Sequence, residues 1–411
     1  WDGSTKETYL PAENTLALDS TGHYAVVTPR VRTVMRNHYN CQTLIGARIE
    51  NQPTLGHCFG GHWDERFSFS EIMSASIDDS STILSPLTLA LFEDSGWYHV
   101  EYEGSQIPTF GLGVGCESMN QCIENDKVPS AWQGDFCDSV STLDLFTGNI
   151  DWAKSEVFCD PTHRYFTACD LFDFEVFPPY VQEALGVNIS EVNGLFSDPS
   201  LIAINPLVDK CSVPAFALGV DCQKEQFEMY KTYSEEVYGS DASFCINARL
   251  DDIYWHTAAC MEVRCDPTTR RVIVGDHECM LDGEEFSITP MADRFPSGTA
   301  ICPRVAQACP HFFCPTGCSG RGVCNFETGE CECFDKNTST DPNCKVVIEP
   351  TAMPSPMTTA PNIMSMVPSV QAGSTPAPTT IDDTPTGRTS AGNTLASGFV
   401  AGCLSFLWFV F

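Results

Sequence analysis

Positive charge is scarce in this chain: 22 Lys and Arg stand against 54 Asp and Glu in 411 residues, a net charge of -32. Neutralising phosphates requires clustered Lys and Arg, so this balance excludes nucleic acid as a partner. Acidity by itself names no function and bears mainly on solubility. An initiator Met and a charged-then-apolar leader are also absent, the sequence opening at Trp1. A processing event or a boundary is therefore expected upstream, and the chain reads as a fragment. No long amphipathic helix pattern occurs between Cys116 and about Pro290, and no charge at all between Leu395 and Phe411.

What is present is a hydrophobic fraction of 43%, enough for a real core in two or three domains, and 22 cysteines, far too many for a reducing cytosol. The protein is expected to be extracellular or lumenal. The sequons at Asn188 and Asn337 agree with secretion.

Up to about residue 115 the sequence reads as mixed helix and loop. In VVTPRVRTVMRNHYNC, Thr28 can cap a helix, Pro29 fits its first position, and Val31, Val34, Met35 and His38 share one face. A second helix follows the same grammar, with Ser85 as cap, Pro86 opening, Leu87, Ala90 and Leu91 as apolar face and Gly96 as stop. From Cys116 to about Pro290 short strand-like runs such as RRVIV at 270–274 alternate with cysteines, suggesting a loop-rich, disulfide-stabilised domain. After Lys345 the composition turns to Pro, Thr, Ser, Ala and Gly, which cannot bury enough apolar surface to offset ordering entropy. That stretch reads as an extended, O-glycosylated stalk. The uncharged tail ends the chain with nothing hydrophilic after it, and Ser390, Ala391 and Gly392 lie upstream. A glycolipid-attachment signal with Ser390 as attachment residue is the preferred reading, and a tail-terminal transmembrane helix the alternative.

GGHWDERFSFSEIMSASIDDSSTILSPLTLALFEDSGWYHV, from Gly60, resembles the leishmanolysins, the metzincin family whose third zinc-binding His lies far from the HExxH helix and eleven residues before the Met of the Met-turn. His62 and Met73 stand at that spacing. Alone, such a pair would recur in many chains. The segment before it, FSDPSL at 196–201, and CMEVRCDPTTRRVIV followed by ICPRVAQAC are similar to other pieces of the family, over about 300 residues in all.

The resemblance implies a cell-surface zinc endopeptidase acting on protein or peptide substrates. Three His would leave the fourth zinc position to water, whose proton the HExxH Glu takes. Met73 would form an apolar floor, not a ligand. None of the nine His, at positions 23, 38, 57, 62, 99, 163, 256, 277 and 311, belongs to an HExxH. The general base and two ligands are thus expected upstream of Trp1, in a missing amino-terminal part of the same chain, and the fragment alone should be inactive. His57, in the same Gly-rich loop, is the rival of His62. His23, His38 and His99 read as capping, packing or solvent residues, and Glu65, Glu71, Asp78 and Asp79 as solvated loop charges.

CPTGCSGRGVCNFETGECECFDKNTSTDPNC, from Cys314 to Cys344, resembles an EGF-like module. Six cysteines permit fifteen pairings; the resemblance implies Cys314 with Cys324, Cys318 with Cys331 and Cys333 with Cys344. The acidic residues that bind calcium in such modules are missing, and a zinc knuckle would need a CxxC pair. If the attachment signal is cleaved, Cys403 leaves with it and 21 cysteines remain, an odd number that points to a partner outside the chain.

The expected fold is α+β. It comprises a metzincin lower catalytic subdomain at 1–115, a cysteine-rich domain at 116–301, an EGF-like module with a preceding cysteine pair at 302–345, a stalk at 346–392 and a hydrophobic signal at 393–411. The expected function is zinc endoproteolysis at a lipid-anchored position on the plasma membrane, with a role in adhesion. The alternative is a non-catalytic surface adhesin that binds its partner through the cysteine-rich and EGF-like modules, and an HExxH upstream would separate the two.

Overall fold

Among the described residues, three α-helices and sixteen strands carry the chain, which is mixed in class but mostly sheet. The structure, a computed structural model, describes residues 15–50, 61–75, 82–143, 149–177, 179, 195–251, 255–292, 295, 297–335 and 341–345.

Strand β1 (Leu16–Leu18), β2 (Tyr24–Val26) and β3 (Ala47–Arg48) form a small antiparallel sheet in the order β1-β2-β3. The sequence reading placed only helix and loop here. The hairpin is set by Asp19, whose carboxylate accepts from the N–H of Thr21 at 2.8 Å and of His23 at 3.0 Å, an Asx-type turn that three-residue strands do not advertise by periodicity. Helix α1 (Pro29–His38) buries Val31, Val34, Met35 and Asn37. Its cap residue is Thr28, yet the Thr28 side chain makes no capping bond. The orphan N–H groups of Arg30 and Val31 are instead taken by the Asp94 carboxylate, at 2.8 and 3.2 Å. Asp94 closes helix α2 (Pro86–Asp94), where a negative charge is unfavourable; lying at the positive end of α1 reverses that sign. Ser85 caps α2 as its sequence suggests, its hydroxyl accepting from Leu87 N–H at 3.1 Å.

Strands β4 (Phe158–Cys159), β5 (Tyr165–Cys169) and, later, β8 (Pro214–Asp221) form a second antiparallel sheet, while β6 (Leu171–Asp173) pairs with β7 (Leu201–Ala203). The largest sheet has β9 (Ser243–Leu250), β10 (Trp255–Asp266), β11 (Arg271–Val274), β12 (His277–Glu278), β13 (Glu285–Ile288) and β14 (Gly298–Ile301) in the order β12-β11-β10-β9-β14-β13. Cys245 and Cys260 face each other across β9 and β10, and their disulfides to Cys159 and Cys222 tie this sheet to the β4-β5-β8 sheet. Cys265–Cys309 and Cys279–Cys302 fasten its far side. The twenty described cysteines are all paired. Each loop so closed removes on the order of 3–4 kcal/mol of unfolded-state entropy, offsetting the shortness of most strands.

One apolar cluster takes in Val31, Trp63 and Leu87 together with Trp132, Phe136 and Val213, on both sides of residue 115. The short helix α3 (Val305–Ala308) sits beside Arg304, which is buried against Asp135. Strands β15 (Gly322–Asn325) and β16 (Glu330–Cys333) form a hairpin closed by Cys314–Cys324, Cys318–Cys331 and Cys333–Cys344. This cysteine-rich segment is seated on α1. Asn37 donates to the carbonyls of Gly317 at 3.1 Å and Gly322 at 2.9 Å and accepts from Cys324 N–H at 3.0 Å. Gly320, at φ 64°, leaves no room for a Cβ, which would lie 2.9 Å from the Cβ of Arg30. Arg321 completes the seat by pairing with Glu93 of α2.

Candidate functional site

The stretch from Gly61 to Ala75 is a series of tight turns pinned to its surroundings by backbone bonds. Glu50 N–H donates to the His62 carbonyl at 2.9 Å and Asp64 N–H to the Arg48 carbonyl at 3.1 Å, so residues 62–64 run antiparallel to the end of β3. On its other side Trp63 N–H donates to the Met73 carbonyl at 2.8 Å, and Trp63 bridges Ser74 in parallel. His62 and the Met73 turn are thereby brought together through the residue between them. His62 is half-buried, and desolvation lowers its pKa below the usual histidine value, favouring the neutral ring that metals bind. Met73, also half-buried, packs against the main apolar cluster.

The acidic residues of this stretch are not the solvated charges their sequence suggests. Glu65 is fully buried and Glu71 only 2% exposed. Glu71 Oε2 accepts from Met73 N–H at 2.6 Å. Its Oε1 accepts from Ser85 N–H at 3.2 Å, the Ser85 hydroxyl at 2.8 Å and the Thr88 hydroxyl at 2.7 Å. Burial raises the pKa of Glu71, and these four donors oppose the rise. Thr88 in turn accepts from the Trp63 indole at 3.0 Å. Sequence reasoning missed this set because its members are scattered over 26 positions between Trp63 and Thr88; the available signal was a Thr among the apolar positions of α2.

Other histidines are accounted for locally. His23 meets Thr21 Oγ1 at 2.7 Å, His99 is exposed, and His277 stacks on Phe286 with centroids 4.3 Å apart. His38 contacts the Phe110 carbonyl through Nε2 at 2.8 Å. Burial pushes its pKa from 6.5 down to about 4; the Phe110 bond opposes this and Arg304 adds to it. The end of α1 would favour a charged ring, so desolvation outweighs the helix dipole here. Between about pH 4 and 6.5 the folded chain binds less proton at His38 than the unfolded chain, so its stability contribution is full above 6.5 and is lost as pH falls toward 4. The melting temperature of His38→Gln is expected to fall less than that of the parent between pH 7 and 4, measured by differential scanning calorimetry. Parallel curves would refute the assignment.

Among the described residues, the donor groups within metal-binding reach of one another are His277 with Cys279 and Cys302, Cys314 with Cys318 and Cys331, and Cys137 with Cys169 and Asp170. Every cysteine in them is in a disulfide, which leaves no thiolate to bind zinc. His62 belongs to none of these groups. His57, Cys58, Asp78, Asp79, Asn188, Asn337, Ser390, Cys403, the stalk and the apolar tail lie outside the described residues. Among the described residues no helix is long and apolar enough to cross a membrane.

The chain is 23% identical to leishmanolysin of Leishmania major over 287 residues, covering 67% of this chain and 43% of that protein. It is 25% identical to a leishmanolysin-like peptidase of Drosophila pseudoobscura pseudoobscura over 323 residues, 71% of this chain and 45% of that one. Over a shorter 145 residues, 34% of this chain and 21% of the relative, identity to the leishmanolysin-like peptidase of Drosophila melanogaster is 34%. The chain thus spans less than half the length of these relatives. The leishmanolysin family model matches residues 19–313, a stretch that contains His62, Met73 and the Glu71 cluster, and the chain belongs to the leishmanolysin family of peptidases.

Proposed function

We propose that this chain is part of a zinc metalloendopeptidase in which His62 is one of three imidazole ligands and Met73 is the apolar floor beneath the metal. The observation that carries this reading is the 2.8 Å bond from Trp63 N–H to the Met73 carbonyl, which holds His62 in register with the Met73 turn. The donor chemistry fits zinc: a half-buried imidazole, whose pKa burial lowers, on a backbone pinned from both sides. Zinc, when bound, polarises the scissile carbonyl and lowers the pKa of a water molecule. The contribution of this chain is positional. Trp63, 1% exposed and tethered to Thr88, stops the backbone beside His62 from swinging, while Met73 is packed against the main apolar cluster. Two further ligands and the general base are assigned to residues outside the 411, since no HExxH occurs among them.

Protein and peptide chains are the proposed substrates. Extracellular placement, a glycolipid at Ser390 and glycans at Asn188 and Asn337 belong to the same proposal, supported by the sequons, the bare apolar tail and the disulfide content. The 314–344 segment is proposed as an EGF-like, calcium-free structural module, supported by its three disulfides and its seat on α1.

Hydrolysis of a generic unfolded protein should be chelator-sensitive with the full-length polypeptide and absent with residues 1–411 alone. Robust zinc-dependent cleavage by residues 1–411 would overturn the division of labour. Met73→Leu nearly conserves volume and polarity and should retain zinc and most activity. Loss of zinc from that variant, by metal analysis, would instead make the sulfur a ligand.

A further inference from the structure

We propose that Glu71 is a positioning residue for zinc, acting through the His62 loop and never touching the metal. This rests on His62 being a ligand, as proposed above, and goes beyond it by naming what aims the loop. Two segments, the Met73 turn and the start of α2, converge on one carboxylate, and a third, at Trp63, is tied to it through Thr88. Oε2 holds Met73 N–H at 2.6 Å, fixing the turn. Oε1 holds both polar groups of Ser85, so the start of α2 is locked to the same atom. Thr88 donates to Oε1 at 2.7 Å while accepting from the Trp63 indole at 3.0 Å, which carries the restraint to the neighbour of His62. The circuit closes through Trp63 N–H and the Met73 carbonyl at 2.8 Å. His62 is therefore attached to a ring of bonds with Glu71 at its hub, built from rigid elements and two buried side chains.

Four donors meet a carboxylate that accepts at both ends. Glu71→Gln keeps the shape but turns an NH2 toward donors at one end, so it breaks the ring with little change in volume. Groups bonded directly to a metal ligand typically contribute 10–100-fold to affinity; Glu71 reaches His62 only through Met73, Thr88 and Trp63, so the zinc dissociation constant of the full-length Glu71→Gln protein is expected to rise about tenfold, the lower end of that range. Thr88→Val cuts the Trp63 branch alone and should raise it about threefold to tenfold, which keeps the proposal testable if Glu71→Gln does not fold.

Zinc affinity is measured by chelator competition on four full-length variants: these two, His62→Ala and Asn37→Ala. Asn37→Ala loosens the same subdomain at the 314–344 segment, away from the ring, and should change zinc affinity less than about twofold while lowering the melting temperature. Parent-like zinc affinity in Glu71→Gln, with His62→Ala impaired, overturns the positioning role and leaves the functional reading standing. Parent-like affinity in His62→Ala overturns both. An equal loss in Asn37→Ala and Glu71→Gln makes Glu71 a purely structural residue and also overturns the proposal.

Discussion

His62→Ala in the full-length protein is expected to lose stoichiometric zinc and more than about 100-fold in chelator-sensitive hydrolysis, because removing a ligand must cost more than removing the outer-shell partner of one. Its fold should survive. His62 is half-buried, and its backbone bonds, the Glu50 N–H to the carbonyl of His62 and the neighbouring Trp63 N–H to Met73, do not depend on the imidazole. The metal-free variant and the metal-free parent are therefore expected to melt within a few degrees of each other, while only the parent is stabilised by added zinc. Retained zinc at parental stoichiometry would transfer the ligand role elsewhere in the loop, with His57 the first candidate.

Asp135→Ala should produce the largest loss of stability in the chain. Asp135 is fully buried and pairs with Arg304, itself 6% exposed. It also accepts from Gln307 Nε2 at 3.0 Å and Gly111 N–H at 3.2 Å. Arg304 meanwhile donates to the carbonyls of Gln133 and Leu112, both at 3.2 Å. The pair thus pins the segment before α3 to loops at 111–112 and 133–135. Burial raises the Asp135 pKa, and Arg304 is the chief attraction holding it down. Taking away the carboxylate strands a buried guanidinium, at a cost of about 3–5 kcal/mol and a fall in melting temperature on the order of 10 °C. The double variant Asp135→Leu, Arg304→Met removes both charges and should regain most of that loss, since apolar replacement of a buried pair is often neutral. Thermal unfolding of the disulfide-intact protein checks both. A change below about 1 kcal/mol in Asp135→Ala would mean that water reaches Arg304 and the pair is not buried in solution.

Local grammar made the two helices legible. Thr28-Pro29 and Ser85-Pro86 mark both starts, and the apolar faces at Val31, Val34, Met35 and at Leu87, Ala90, Leu91 are the buried ones. What local grammar could not give was the partner of each end: Asp94, 64 positions from Arg30, does the capping that the sequence assigns to Thr28. Strands β9 and β10 escaped for a related reason. One face of β9 carries Ile246, Ala248 and Leu250 and the other Cys245, Asn247 and Arg249, a weak pattern beside RRVIV. The cysteines they carry bond to Cys159 and Cys222, far away in sequence, so the place of the strand pair in the fold has no local signal.

The site divides in the same way. His62 and Met73 were legible only as a pair resembling a family motif, because a spacing of eleven residues has no period of its own in helix or strand. Glu71 was misread as a surface charge because its four donors lie two to seventeen residues ahead and meet it only after α2 folds back. A buried carboxylate is identified by its partners, and those are a property of the tertiary structure.

The most direct test is a crystal structure of the full-length protein with diffraction recorded on both sides of the zinc absorption edge. The account predicts one anomalous peak at about 2.0–2.1 Å from a ring nitrogen of His62, with the Met73 sulfur below it and outside ligand distance. A zinc peak with His62 turned away, or none in a protein that cleaves its substrate in a chelator-sensitive manner, would contradict it.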